Sequence, residues 1–174
     1  MKDLPERKQN RLHEYNYSQN GYYFITICTK DREECFGKII DNKMVLNKHG
    51  KIIEQNWLEI ANHFPFITLD QFVVMPNHVH GILVIENIAR DRHACPLRPQ
   101  YQKLSVVVGS FKSASSKQIH QTGFKHFTWQ RSFYDHIIRN EIALQNIHEY
   151  INNNPLNWAL EKDRNHLANI KPLK

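Results

Sequence analysis

Two apolar, β-branched stretches, about Ile67 to Met75 and His78 to Glu86, are separated only by Pro76-Asn77. Proline presets one turn dihedral and asparagine tolerates turn geometry, so this junction predicts a tight antiparallel connection between two strands. A further run, Tyr22-Tyr23-Phe24-Ile25-Thr26-Ile27-Cys28-Thr29, is aromatic and β-branched and predicts a central strand. Asp41-Asn42, between the short apolar runs of Cys35 to Leu46, predicts a small hairpin. Phe127 to His136 predicts one more strand.

Helical spacing accounts for the segments between. From about Asn47 to Asn62, residues Ile53, Trp57, Ile60 and Ala61 form one apolar stripe, with Pro65 just past its end. From Ser105 to about Gln121, Val108, Phe111, Ser115 and Ile119 would face inward. A third helix is predicted from Asn140 to about Asn153 on Leu144, Ile147 and Ile151, with Pro155 starting a last short helix. The order β, hairpin, α, β, β, α, β, α is the split βαβ pattern. It predicts an α+β, ferredoxin-like antiparallel sheet with helices packed on one face.

A chain of 174 residues suits a single domain over 1–174. The polar stretch 1–20 reads as an N-terminal arm. The segment 87–103, with Pro96, Pro99, Arg90, Arg92 and Arg98, reads as a mobile surface loop. No stretch has the ~20 apolar residues that span a bilayer, and the N-terminus has no signal-like apolar run. A cytoplasmic location without membrane association is expected. Three widely spaced cysteines, Cys28, Cys35 and Cys95, argue against a disulfide framework and read as reduced thiols. With 23 Lys+Arg against 17 Asp+Glu, the net charge of +6 mildly favours a polyanionic partner.

Chemistry concentrates in Met75-Pro76-Asn77-His78-Val79-His80-Gly81. Alternate residues of a strand share a face, so His78 and His80 point the same way and can hold one metal ion between them. Two surface histidines on a half-solvated sheet would give the same pattern. Imidazole pairs suit zinc, manganese and other transition ions, whereas magnesium prefers oxygen. Gly81 beside them leaves room for a ligand or another backbone to approach. The second cluster is Tyr150-Ile151-Asn152-Asn153-Asn154-Pro155. Tyr150 is expected at the rim of the third helix with its hydroxyl free. Asn154 stands one helical turn on, above Tyr150 on the same face; followed by Pro155 it also reads as the N-cap of a helix, and the two roles are not exclusive.

With both clusters in view, the chain resembles the single-tyrosine transposases that carry a His-x-His pair, and among them the REP-associated tyrosine transposases. The likeness rests on three stretches: Arg7 through Thr29, Met75 through Gly81, and Trp129-Gln130-Arg131-Ser132-Phe133-Tyr134-Asp135-His136 running on to Pro155. The resemblance implies a DNA transposase acting on single-stranded DNA, often beside a hairpin, with a divalent ion, Mg2+ or Mn2+. Carried onto this chain, it makes Tyr150 the nucleophile that forms a 5′-phosphotyrosine. It makes His78 and His80 the metal ligands, with Asn154 at a position where some relatives carry glutamine as a third ligand. Asn154 is one methylene shorter.

Tyr134 is the competing nucleophile and His136 a further candidate, both on an expected strand. Arg11, Lys112, Lys117, Arg131 and Arg139 are candidate DNA contacts, because phosphates are bound by basic side chains. The relatives include monomers and dimers in which one subunit's tyrosine serves the other's site, so a homodimer remains open. Two other functions are alternatives, the first sharing the chemistry and the second not needing both clusters. One is a domesticated nuclease that processes chromosomal repeats. The other is a non-catalytic nucleic-acid binding module of the same fold.

Overall fold

The computed structural model describes residues 19–86 and 104–169, with side chains through Lys162. Most of the N-terminal arm, including Arg11, and the expected loop 87–103 lie outside the described residues.

Strand β1, Gly21–Cys28, is followed by a single 3-10 turn at Lys30–Arg32 and by the hairpin β2, Gly37–Ile40, and β3, Lys43–Leu46. Asp41 (φ 49°) and Asn42 (φ 59°) form its two-residue turn, both in the left-handed region that such hairpins demand and that these residue types tolerate. Helix α1, Lys48–Leu58, starts at Asn47, whose side-chain oxygen accepts from the backbone N–H groups of His49 and Gly50. A short turn of helix, α2, Ile60–His63, leads to β4, Ile67–Met75, and β5, His78–Ile85. Met75 pairs directly with His78, so Pro76-Asn77 is indeed a two-residue connection. Helix α3, Leu104–Gln121, strand β6, Tyr134–Ile138, and helix α4, Glu141–Asn169, complete the described chain.

The main sheet has the order β4-β5-β1-β6 and is antiparallel throughout. β1 and β4 therefore run parallel with β5 inserted between them, and β5 and β6 run parallel with β1 between them. Two interleaved split βαβ units result, which is the ferredoxin-like arrangement expected.

The strands' alternation gives the sheet two chemically different faces. Tyr23, Ile25 and Ile27 of β1 and Val79, Leu83 and Ile85 of β5 bury themselves against Ile53 and Trp57 of α1 and Val107, Val108, Phe111 and Ile119 of α3. The other face carries Phe24, Val73, Ile82 and Ile138, which pack with Ala143, Leu144, Ile147 and Ile151 of α4. The helices are thus not all on one face. α1 and α3 cover the main core, and α4 covers a second, smaller cluster, because its own stripe matches the apolar patch left by the even-numbered residues of β1 and β5.

Three local expectations need correction. β6 begins at Tyr134, not Phe127. Residues 127–133 supply Phe127 and Phe133 to the core from irregular backbone, held by one bridge between Thr29 and Trp129. α4 does not stop near Asn153 but runs through Pro155 as one helix. The proline ring removes one i to i−4 hydrogen bond, and packing of the preceding turns on the sheet outweighs that loss. Gly81 makes room not for a ligand but for the core, since a Cβ there would stand 2.3 Å from Cζ2 of Trp57. Among the described residues Cys28 and Cys35 are free and buried, and burial drives the Cys35 thiol up to about 12, while Cys95 lies outside the described residues. No helix among the described residues is long and apolar enough to cross a membrane.

Candidate active site

A cavity of about 390 Å³ opens between the second face of the sheet and α4, lined among others by Thr26, Arg32, His78, His80, Tyr150, Asn154 and Trp158. Strand register brings the histidines there. His78 lies opposite Cys28, and His80 lies opposite Thr26, one strand in from Tyr134. The two imidazoles stand 4.4 Å apart between ring centres, at 75°.

Each ring is oriented by a neighbour. Oδ1 of Asn77 lies 2.7 Å from Nδ1 of His78, and because an amide oxygen only accepts, His78 carries its proton on Nδ1 and its lone pair on Nε2. Asn77 is itself pinned, since its carbonyl accepts from the Thr29 N–H at 2.9 Å and from the Thr29 hydroxyl at 3.0 Å. Nδ1 of His80 is 2.7 Å from the Thr26 hydroxyl, and Nε2 of His80 is 3.3 Å from the Tyr150 hydroxyl. Both hydroxyls can donate or accept, so His80 can offer its lone pair at Nε2, as His78 does, when its proton sits on Nδ1 facing Thr26. Phe24 stacks on His80 at 5.3 Å and meets Tyr150 edge-on at 6.0 Å, fixing both rings.

The histidines are buried rather than open to solvent. Burial is the main cause that lowers His78 to about 4 and His80 to about 3; the charge of Arg32 adds to both, and for His80 so does His78. Both imidazoles are therefore neutral near pH 7, which is the protonation state a metal ligand needs.

Tyr150 is 45% exposed, so it stands at the rim as expected, with its hydroxyl reaching the histidines. Asn154 is buried on the same face of α4 and lines the cavity. Because α4 is unbroken here, Asn154 cannot be a helix cap, which removes one of its two readings. Tyr134 and His136 are exposed on β6, on the same face of the sheet, but neither lines the cavity. Lys117, Arg131 and Arg139 are exposed away from its lining. Lys112 is engaged inside the fold, where its ammonium donates to the backbone carbonyls of Gln130 at 2.5 Å and Arg131 at 3.3 Å. The lining residues that sequence reasoning did not single out are Thr26, Arg32, Asn157, Trp158, Leu160 and Glu161. Thr26 alone had a legible signal, as a polar side chain inside an apolar central strand.

Among the described residues, no three His, Cys, Asp or Glu side chains converge as a metal-binding group. What the cavity offers is two neutral imidazoles, each with a free or exchangeable Nε2 lone pair, and the amide of Asn154. That donor set fits a divalent ion with open coordination positions.

The family model of the IS200-like transposases matches residues 17–154. The chain belongs to this family. An uncharacterised protein of Haemophilus influenzae is 40% identical over 168 residues, covering 91% of this chain and 93% of its own length. A second Haemophilus influenzae protein, provisionally named a REP-associated tyrosine transposase, is 26% identical over 143 residues, 81% of this chain and 73% of its own. A solved structure of a REP-associated tyrosine transposase bound to a REP hairpin superposes with a TM-score of 0.58 at 20% identity, covering 84% of this chain and 73% of that one. In this IS200-like transposase the matched span takes in both the histidine pair and Tyr150.

Proposed function

We propose that this chain cleaves and rejoins single-stranded DNA through a covalent 5′-phosphotyrosine at Tyr150. The observation that carries this reading is the 3.3 Å approach of the Tyr150 hydroxyl to His80 in one cavity with His78 and Asn154. In cleavage, Oη of Tyr150 forms a bond to phosphorus and the bond from phosphorus to the 3′-oxygen breaks. The phenol gives up its proton and the departing oxygen takes one, leaving a free 3′-hydroxyl. Attack of another 3′-hydroxyl on the phosphotyrosine reverses the step and rejoins the strand, with the phosphodiester energy conserved.

His78, His80 and Asn154 would hold a divalent ion, Mg2+ or Mn2+, whose chemistry is Lewis-acid polarisation of the phosphate. A phenol is a weak nucleophile, so positioning by Phe24 and by the sheet matters as much as activation. Net charge and the REP-hairpin-bound relative support a single strand with a neighbouring hairpin as the substrate. A domesticated repeat-processing nuclease would use the same chemistry.

The test uses labelled strands taken from the flanks of the protein's own gene. Three forms are compared with manganese present: the hairpin strand, the same strand with its stem scrambled, and the full duplex. A covalent adduct is expected with the hairpin strand, lost on Tyr150→Phe and in excess chelator, kept by Tyr134→Phe, and scarce with duplex. An adduct that survives Tyr150→Phe, or duplex cut as fast as hairpin strand, overturns the reading.

A further inference from the structure

Arg32 is the one cation that lines the cavity among the described residues, and the backbone is bent out of its ordinary range to put it there. Asp31 (φ 54°) and Arg32 (φ 58°) both lie in the left-handed region. For residues other than glycine this conformation costs about 1–2 kcal/mol each, so it persists only where surrounding bonds enforce it. Here they do. The Thr29 hydroxyl shares its one proton between the Glu33 carbonyl at 2.9 Å and the Asn77 carbonyl at 3.0 Å, the Arg32 N–H bonds the Thr29 carbonyl at 3.3 Å, and Nδ2 of Asn77 donates to the Arg32 carbonyl at 2.9 Å.

Asn77 makes the link specific. Its nitrogen holds the Arg32 backbone while its oxygen holds the His78 ring at 2.7 Å. One buried amide therefore ties the backbone that carries Arg32 to the His78 imidazole, and the Arg32 side chain reaches the cavity from that anchored turn. Among the described residues no carboxylate lies within ion-pair distance of Arg32; Glu161 lines the same cavity from α4 without pairing to it. The cavity thus carries, on an anchored backbone, a cation without a carboxylate partner among the described residues, beside the helix that bears Tyr150.

We infer that Arg32 is a phosphate-binding residue, whose guanidinium grips the non-bridging oxygens of the phosphodiester that Tyr150 attacks. The inference rests on the reading of Tyr150 as the nucleophile. A guanidinium presents paired N–H donors that match two phosphate oxygens. Its contribution grows as negative charge builds on those oxygens during transfer.

Arg32→Gly is the informative variant, because glycine accepts φ 58° without strain and removes only the side chain. The probe is the hairpin strand whose cleaved linkage has been mapped from the wild-type adduct, with and without a neutral methylphosphonate at that linkage. Binding is measured in chelator across a salt series, and adduct formation in manganese. Arg32→Gly should weaken binding about tenfold and reduce the steepness of log affinity against log salt by about 0.7, one phosphate contact on a single strand. Methylphosphonate should weaken wild-type binding and have no further effect on Arg32→Gly. Arg32→Lys should restore the salt slope while adduct formation stays at least tenfold slow, since a point charge lacks the fork. If methylphosphonate weakens both proteins equally, or the salt slope is unchanged in Arg32→Gly, the assignment is wrong. Absence of any wild-type adduct would instead count against Tyr150 as nucleophile, so the two failures are separable.

Discussion

His78 and His80 store acid sensitivity in the fold. Their folded-state values of about 4 and 3 lie below the ~6.5 of an unfolded imidazole. Between those limits the unfolded chain binds protons that the folded chain refuses, so the stability is full above about pH 6.5 and falls as pH drops towards 4. From pH 6.5 to 5.0 the pair together should cost on the order of 3 kcal/mol. Denaturant midpoints measured in chelator at the two pH values check this, and a His78→Gln, His80→Gln double variant should flatten the dependence. A wild-type midpoint that does not move would mean that the pocket opens freely. Gly81 lies between His80 and Ile82 but answers to the opposite face. Its would-be Cβ meets the Trp57 ring and Cβ of Phe72 at 2.9 Å, so Gly81→Ala should lose about 1–3 kcal/mol by overpacking. Urea melts read that loss. A neutral substitution would show that Trp57 shifts without strain.

At the scale of elements, α4 is latched to the edge strand on either side of its tyrosine. A register shift between Leu69 and Phe72 in β4 turns out two polar residues, Asp70 and Gln71. Nε2 of His148 reaches both carboxylate oxygens of Asp70 at 3.1 Å, and Gln71 hydrogen-bonds Asn152. These contacts fall two residues before and two after Tyr150. Half-exposed polar pairs add little stability, under about 1 kcal/mol each, yet a displacement of about 1 Å at a nucleophile can cost a hundredfold in rate. Asp70→Ala combined with Gln71→Ala should therefore slow adduct formation at least tenfold while moving the melting midpoint little. Parallel losses in both would reduce the latch to ordinary packing. The latch was not legible in the sequence, because a β-bulge is a property of the paired strands and not of one. Nor was the continuity of α4. Asn154-Pro155 reads locally as a helix boundary, and only the match between Ile147, Ile151 and the sheet overrides it. What was legible was governed by short-range rules: the Pro76-Asn77 connection, the Asp41-Asn42 turn, the α3 stripe and the shared face of His78 and His80. Arg32 escaped notice because its direction depends on a left-handed turn held by Asn77, forty-five positions away.

The whole molecule assembles His78, His80, Asn154 and Tyr150 within one chain, and the connection into α4 makes that arrangement hard to exchange. β6 ends at Ile138 and α4 begins at Glu141, leaving only Arg139 and Asn140 between them. Two residues span about 7 Å when fully extended. For α4 to serve a second copy's histidines, it would have to leave its seat on Ile82 and Ile138, abandon the Asp70 and Gln71 contacts, and cross to another sheet on that tether. A trans site would therefore require β6 to move with it, breaking its pairing with β1 from Tyr22 to Thr26. The expected mode is catalysis in cis. Mixing Tyr150→Phe with His80→Ala supplies an intact histidine pair on one chain and an intact tyrosine on the other. If sites form between subunits, the mixture should recover a sizeable fraction of wild-type adduct. In cis it should recover none, and wild-type adduct formation per chain should stay constant over a hundredfold dilution in protein at saturating DNA. Activity that returns on mixing would place the functional tyrosine on a partner's sheet and require α4 and β6 to swap together.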